Sequence, residues 1–229
     1  QREEIWNKTM IEVDTELARY NMIEQQIRTW DVLDPQILEL LASVPRERFV
    51  PERYQNLAFS DLEIPLGQDE VMMAPKTEGR ILQSLAIKPL DRVLEIGTGS
   101  GFLTACLAKL GAEVVSVEIV PEFSQRAQQL LTGMGYENIE FRVGDAAGGW
   151  DQDGHFDAIA VTGSLPVLPD ALRNCMNKGG RMFVITGEPP VMEAQLIHRL
   201  SDQEWQSETL FETDLPALQN AVYPQIFSL

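Results

Sequence analysis

The chain has 229 residues, long enough for one sizeable core with a smaller appendage and too short for a second full domain. Hydrophobic residues make up 44% and charged residues 23%, ordinary globular proportions, and no apolar run approaches the ~20 residues that a membrane-spanning helix needs. With 18 Lys and Arg against 35 Asp and Glu, the formal net charge is −17, which repels phosphate backbones and speaks against nucleic-acid substrates.

The opening, QREEIWNKTMIEVDTELARYN, is acidic and has neither the basic start nor the apolar centre of a secretory signal, so a cytoplasmic location is expected. Apolar residues at Leu17, Tyr20, Ile23, Ile27 and Trp30 recur at three- and four-residue steps and predict a first helix with one apolar face. Asp34 suits an N-cap with Pro35 in the first helical position; Ile37, Leu38 and Leu41 then point inward until Pro45 ends the run. The stretch VPRERFVPERY, Val44 to Tyr54, is the one candidate basic patch, and a solvated turn between two prolines is the better reading of it. PLGQDEVMMAPKT, Pro65 to Thr77, shows neither helical nor strand period, yet it is too apolar for an idle linker.

From Asp91 the texture changes to short β-branched runs, RVLEIG, EVVSVE, IEFRVG, DAIAVTG and GRMFVITG, separated by helical segments. Such alternation predicts βαβ units and an α/β fold with a doubly wound, mainly parallel sheet over residues 81–229, preceded by a helical extension over 1–80. Pro121 opens one of the helices, and Gly133 and Gly135 stand near its end. Beyond Gly187, AQLIHRL and WQSETLFETD read as a later strand or hairpin. The two cysteines, Cys106 and Cys175, fall in helical segments without metal-ligand spacing, so buried inert thiols are expected and no metal site is.

The richest stretch is VLEIGTGSGFLTACLA, Val93 to Ala108, a buried strand running through Gly97, Thr98, Gly99, Ser100 and Gly101 into a helix. Glycines let a backbone turn tightly against a ligand, and the helix start offers free N–H groups. Alone, such a turn would serve equally as a plain strand-to-helix connection. Glu118 ends the second strand at the distance expected of a carboxylate that accepts from both ribose hydroxyls, and Asp145 with Ala146 follows the third. Strand-end acids are often helix caps. Here three such features share the carboxyl edge of consecutive strands, where open α/β sheets bind ligands. Phe102 breaks the dinucleotide fingerprint, and no phosphate-cradling GxxxxGK[ST] loop is present. A ligand with ribose and adenine but no pyrophosphate fits better, and S-adenosylmethionine (SAM) is the common one. His155, ahead of the fourth strand, belongs to the opposite edge, and His198 lies far along the chain, so both suit surface or packing roles.

From Met22 to about Gly187 the chain resembles the protein-L-isoaspartate O-methyltransferases, through MIEQQIR, VPRERFVPERYQNLAFSDLEIPLG, VLEIGTGSGF, VVSVEIVPEFSQRAQQLL, GYENIEFRVGDAAGGW, FDAIAVTGSLPVLP and NKGGRMFVITG in the family's order. The resemblance implies a Rossmann-like class I methyltransferase that uses SAM, releases S-adenosyl-L-homocysteine and repairs proteins bearing isoaspartate. It assigns Gly97, Thr98, Gly99 and Gly101 to the cofactor loop, Glu118 and Ile119 to the ribose, Asp145 and Ala146 to the adenine, and Thr162 to the acceptor pocket. One stretch departs: the family has a motif similar to PIGxGQTISxP where this chain has PLGQDEVMMAP, which puts Met73 in the place of the serine that helps position the acceptor carboxylate. ETDLPALQNA also replaces a more basic, valine-rich closing strand. The missing serine and the methionine pair leave two rivals open, a methyltransferase of the same fold acting on a small, partly apolar metabolite and a SAM-binding protein without turnover. Packing under the loop remains an equal account of Met72 and Met73.

Overall fold

The computed structural model describes residues 14 to 224, so most of the acidic opening stretch lies outside the described residues. Two compact units divide the chain, one ending at Gln83 and the other beginning at Ser84.

The first unit opens with helix α1, residues 14 to 22, which runs through a π turn, Ile23–Ile27, and a 3-10 turn, Arg28–Trp30, to Asp31 in the left-handed region at φ 60. The buried face is only in part the expected one. Leu17 and Tyr20 stand 56% and 61% exposed, whereas Arg19, Met22, Ile23 and Ile27 are buried. Arg19 takes an inward place because Glu16 and Glu47 accept from its guanidinium at 2.7 and 2.8 Å, and a paired charge can be buried where a free one cannot. Helix α2, Pro35–Ser43, starts as its sequence dictates: Asp34 accepts from the Gln36 N–H at 2.8 Å, Pro35 fills the first turn, and Ile37, Leu38, Leu40 and Leu41 are buried.

Two further expectations change in this unit. Val44 to Tyr54 is no solvated turn but 3-10 helices at Arg46–Arg48 and Glu52–Leu57, with Arg46 only 1% exposed. The stretch without a visible period is a hairpin: β1, Ile64–Gly67, pairs antiparallel with β2, Glu70–Met72. Gln68 and Asp69 form its two-residue turn at φ 55 and 62, the double left-handed geometry of a type I′ turn. The strands are too short for alternation to show, and the turn lacks the Asn-Gly pair that usually announces this geometry. Helix α3, Pro75–Leu85, follows.

In the second unit a seven-stranded sheet runs in the order β5-β4-β3-β6-β7-β8-β9. Its strands are β3 (Arg92–Ile96), β4 (Glu113–Glu118), β5 (Ile139–Val143), β6 (Phe156–Leu165), β7 (Met176–Glu188), β8 (Val191–Arg199) and β9 (Trp205–Thr213). Strands β3 to β7 are parallel, and β8 and β9 add an antiparallel edge, the later hairpin expected from AQLIHRL and WQSETLFETD. Val93, Leu94, Val114, Val115 and Ile159 are fully buried, as near-continuous apolar strands covered on both faces should be. The covering helices are α4 (Phe102–Leu110), α5 (Pro121–Gly133) and α6 (Asp170–Asn174). Gly101 lets α4 approach α5, since a Cβ there would stand 3.0 Å from that of Ala127. The chain proceeds outward from β3 to β4 and β5, then returns to place β6 on the other side of β3. That reversal opens a crevice at the carboxyl ends of β3 and β6.

Cys106 and Cys175 are both buried and neither is in a disulfide, the first within α4 and the second at the C-cap of α6. Past β5, Asp153 accepts from Trp150 Nε1 at 2.7 Å and from Arg142 at 3.0 Å. Burial pushes its carboxyl up, but those hydrogen bonds and the neighbouring guanidinium charges outweigh it and hold the group below the usual carboxylate range. Among the described residues no helix is long and apolar enough to cross a membrane.

Candidate functional site

The turn after β3 is built by its glycines. Gly97, Gly99 and Gly101 lie at φ 94, 52 and 85, and a Cβ on Gly97 would meet the Thr162 hydroxyl at 2.2 Å. The base of the turn is held by a buried relay. Thr98 and Ser116 share a hydrogen bond of 2.6 Å, Ser116 donates to Glu95 at 2.6 Å, and Thr104 donates to the same Glu95 oxygen at 2.5 Å. The Phe102 N–H at the start of α4 donates to the Ser100 hydroxyl at 3.2 Å, and the Gly97 and Gly101 N–H groups close the turn on the Val117 and Thr98 carbonyls at 2.8 and 2.9 Å.

Glu118, at the end of β4, is 5% exposed. Its carboxylate accepts from the Gly99 N–H at 2.9 Å and from the Val120 N–H at 3.0 Å. Each oxygen is thereby fixed by a backbone donor. The carboxylate is aimed before any ligand arrives, and the bond to Gly99 ties it to the glycine turn. Ile119 is half-buried beside it. Asp145 follows β5 on an exposed loop, accepting from the Ala147 N–H at 3.0 Å, and Ala146 is buried. The second unit thus gathers Gly97, Thr98, Gly99, Gly101, Glu118, Ile119, Asp145 and Ala146 at the carboxyl edge of three adjacent strands.

Thr162 differs from its expected place just after the fourth strand. It lies inside β6, and its hydroxyl donates toward the carbonyls of Ile96 and Gly97 at 2.8 and 2.7 Å, fastening β6 to the start of the glycine turn. His155 is exposed at the opposite end of β6, and His198 is half-buried in β8 opposite Arg181.

Sequence reasoning missed the closing segment. Past β9 the chain returns along β6: the Ser164 N–H donates to the Pro216 carbonyl at 2.9 Å and the Leu218 N–H to the Ser164 carbonyl at 2.9 Å. The Ser164 hydroxyl adds a bond to the Leu215 carbonyl at 2.7 Å, and Ala217 forms a parallel bridge with Ser164. Leu218 packs so closely that a Cβ on Gly163 would lie 2.7 Å from it. Asn220, in the left-handed region at φ 64, donates its amide N–H to Asp145 at 2.9 Å. The local signal for this docking was a glycine, Gly163, inside a strand.

In the first unit the hairpin ends at Met72 and Met73, 3% and 5% exposed. The Met73 carbonyl accepts from Arg46 at 2.7 Å, the Ala58 carbonyl accepts from the same guanidinium at 2.9 Å, and Glu78 on α3 pairs with it. Burial pushes the Glu78 carboxyl up to about 7, and the Arg46 charge pulls it back only in part. Arg46 therefore braces the segment on which Met73 sits. Asp69, at the tip of the turn, is exposed.

Comparison with known proteins places this arrangement. The family model for protein-L-isoaspartate(D-aspartate) O-methyltransferase (PCMT) matches residues 18–216. A protein-L-isoaspartate O-methyltransferase of Syntrophus aciditrophicus is 36% identical over 184 residues, 80% of this chain and 84% of the relative. Another, from Gloeobacter violaceus, is 40% identical over 166 residues, 72% and 81% of the two chains. Among solved structures, a Plasmodium falciparum chain described as a protein-L-isoaspartate O-methyltransferase, in complex with S-adenosyl-L-homocysteine, shares the fold with a TM-score of 0.76 at 19% identity, over 88% of this chain and 98% of that one. With a family match that runs through nearly all the described residues and relatives at this level of identity, the chain belongs to the protein-L-isoaspartate(D-aspartate) O-methyltransferase family.

Proposed function

We infer that the protein methylates the carboxylate of isoaspartyl residues in damaged proteins, taking the methyl group from SAM. The observation that carries this reading is the set of Glu118, Asp145 and the glycine turn at one sheet edge, in a chain of this family. Glu118 holds the ribose beside Ile119, Asp145 accepts from the adenine amino group beside Ala146, and Gly97, Thr98, Gly99 and Gly101 admit the methionine part. These residues fit the group, because the Glu118 and Asp145 carboxylates, each aimed by a backbone N–H, are acceptors suited to its hydroxyl and amino donors.

When bound, SAM supplies an electrophilic methyl carbon on a sulfonium. An acceptor carboxylate in line with the carbon–sulfur bond would take that methyl group, the bonding electron pair going to the sulfur. A carboxylate with an ordinary pKa near 4 is already ionised at neutral pH, so no general base is required. The remoteness of His155 and His198 agrees with this. The protein's task is to hold the two reactants in line and keep water out. The net charge of −17 supports a protein or peptide acceptor over a nucleic acid, and a cytoplasmic setting suits the two buried thiols, neither in a disulfide.

A second reading, a small and partly apolar acceptor, is favoured by one observation: Met73 stands where the serine of the family motif is expected. Methyl transfer measured on an isoaspartyl peptide beside a panel of carboxylate metabolites separates the two. Turnover of the peptide and not of its aspartyl counterpart is the expected result. Turnover of a metabolite alone would replace the substrate and leave the chemistry standing.

A further inference from the structure

We propose that Asn220 is a positioning residue of the adenine subsite, acting through Asp145, and that the closing segment from Leu215 to Ala221 forms the wall of that subsite. The inference rests on the reading of Asp145 as the acceptor for the adenine amino group and adds a device to it. Asp145 is exposed on a loop, where a lone carboxylate would sample several rotamers. Two bonds remove that freedom: the Ala147 N–H holds Oδ1 and the Asn220 amide holds Oδ2. Each oxygen keeps a lone pair, so the carboxylate is aimed and still able to accept.

Asn220 can aim it only if it is itself held. The Ser164 bonds fasten the segment to β6 at Leu215, Pro216 and Leu218, and the Ala221 N–H closes on the Leu218 carbonyl at 3.1 Å. Leu215 is buried, and Leu218 packs against Gly163. The left-handed backbone at 220 is one that asparagine adopts more readily than most residues, which puts its amide at the tip of an anchored turn. The family match ends at residue 216, so Asn220 lies beyond the matched residues.

An oriented carboxylate should distinguish a base that offers an amino donor from one that offers a carbonyl acceptor. Calorimetry of the full chain with S-adenosyl-L-homocysteine and with S-inosyl-L-homocysteine, its 6-oxo counterpart, tests this. Asn220→Gly removes the amide without straining the left-handed backbone. It should weaken the adenosyl ligand about fivefold to tenfold, leave the inosyl ligand unchanged and leave Tm unchanged. Asn220→Asp, which sets a second carboxylate against Asp145, should weaken the adenosyl ligand further, with recovery as the pH is lowered toward 5. Equal losses for both ligands would reduce Asn220 to general support of the wall and overturn the proposal. So would wild-type affinity in Asn220→Gly alongside a loss in Asp145→Ala. Wild-type affinity in Asp145→Ala itself would remove Asp145 from the site and the proposal with it.

Discussion

A single methyl group at position 97 would meet the Thr162 hydroxyl at 2.2 Å, and the backbone there stands at φ 94, where an L side chain is strained. Residues such as this are legible in a sequence because no other amino acid satisfies their geometry, and the strand-end acids Glu118 and Asp145 were legible by their spacing from it. Asp145→Ala should weaken binding of S-adenosyl-L-homocysteine severalfold or more in calorimetry, and unchanged affinity would refute its role. The bond from Asn220 to Asp145 joins residues 75 apart, and Thr162 reaches back 66 residues to Ile96, so no local pattern announces either. Met73 stands where the family motif has its serine. Met73→Ser restores a hydroxyl worth about 1.5–3 kcal/mol to a charged acceptor, so isoaspartyl turnover should rise roughly tenfold or more. The same change removes a side chain that is 5% exposed, and unfolding should show a loss of about 2–4 kcal/mol. Lower stability with unchanged turnover would mean that the side chain serves packing alone.

At the scale of elements, the parallel strands were readable because burial on both faces demands near-continuous apolar runs, and β3 and β4 supply them, broken only by the hydrogen-bonded pair Glu95 and Ser116. The β1–β2 hairpin was not, for its stability comes from contacts beyond its own sequence. Arg46, read as part of a solvated turn, is buried against the Met73 carbonyl and Glu78 instead. This pair gives the fold a pH signature. Glu78 gains its proton at about 7 in the folded protein and near 4.5 when exposed, so between those values the folded state binds more protons. Stability therefore falls as pH rises through that window, by on the order of 3 kcal/mol, and is flat above it. Thermal unfolding from pH 5 to 8 should show the stability of the wild type falling relative to that of Glu78→Gln as pH rises. A wild type that gains stability relative to the variant over that range would contradict the raised carboxyl.

For the whole molecule, a ligand that binds only the folded state stabilises it by mass action. At a hundredfold excess over its dissociation constant, S-adenosyl-L-homocysteine should add about 2.7 kcal/mol and raise Tm by about 5–10 °C. With every assigned cofactor group beyond Ser84, the shift should appear in the transition of the second unit, and in Asp145→Ala it should shrink. The same unit carries an Asp153-Gly154 pair, the kind of sequence in which the following backbone nitrogen attacks the aspartyl side chain, closes a succinimide and reopens to isoaspartate. Trp150 and Arg142 keep that carboxylate ionised and occupied, and the Gly154 N–H is directed at the Asp151 carbonyl at 3.3 Å. An ionised, hydrogen-bonded carboxylate is a poor electrophile, and a nitrogen whose proton points elsewhere is a poorly placed nucleophile. The clamp on Asp153 thereby keeps a repair protein from ageing into a substrate of its own kind.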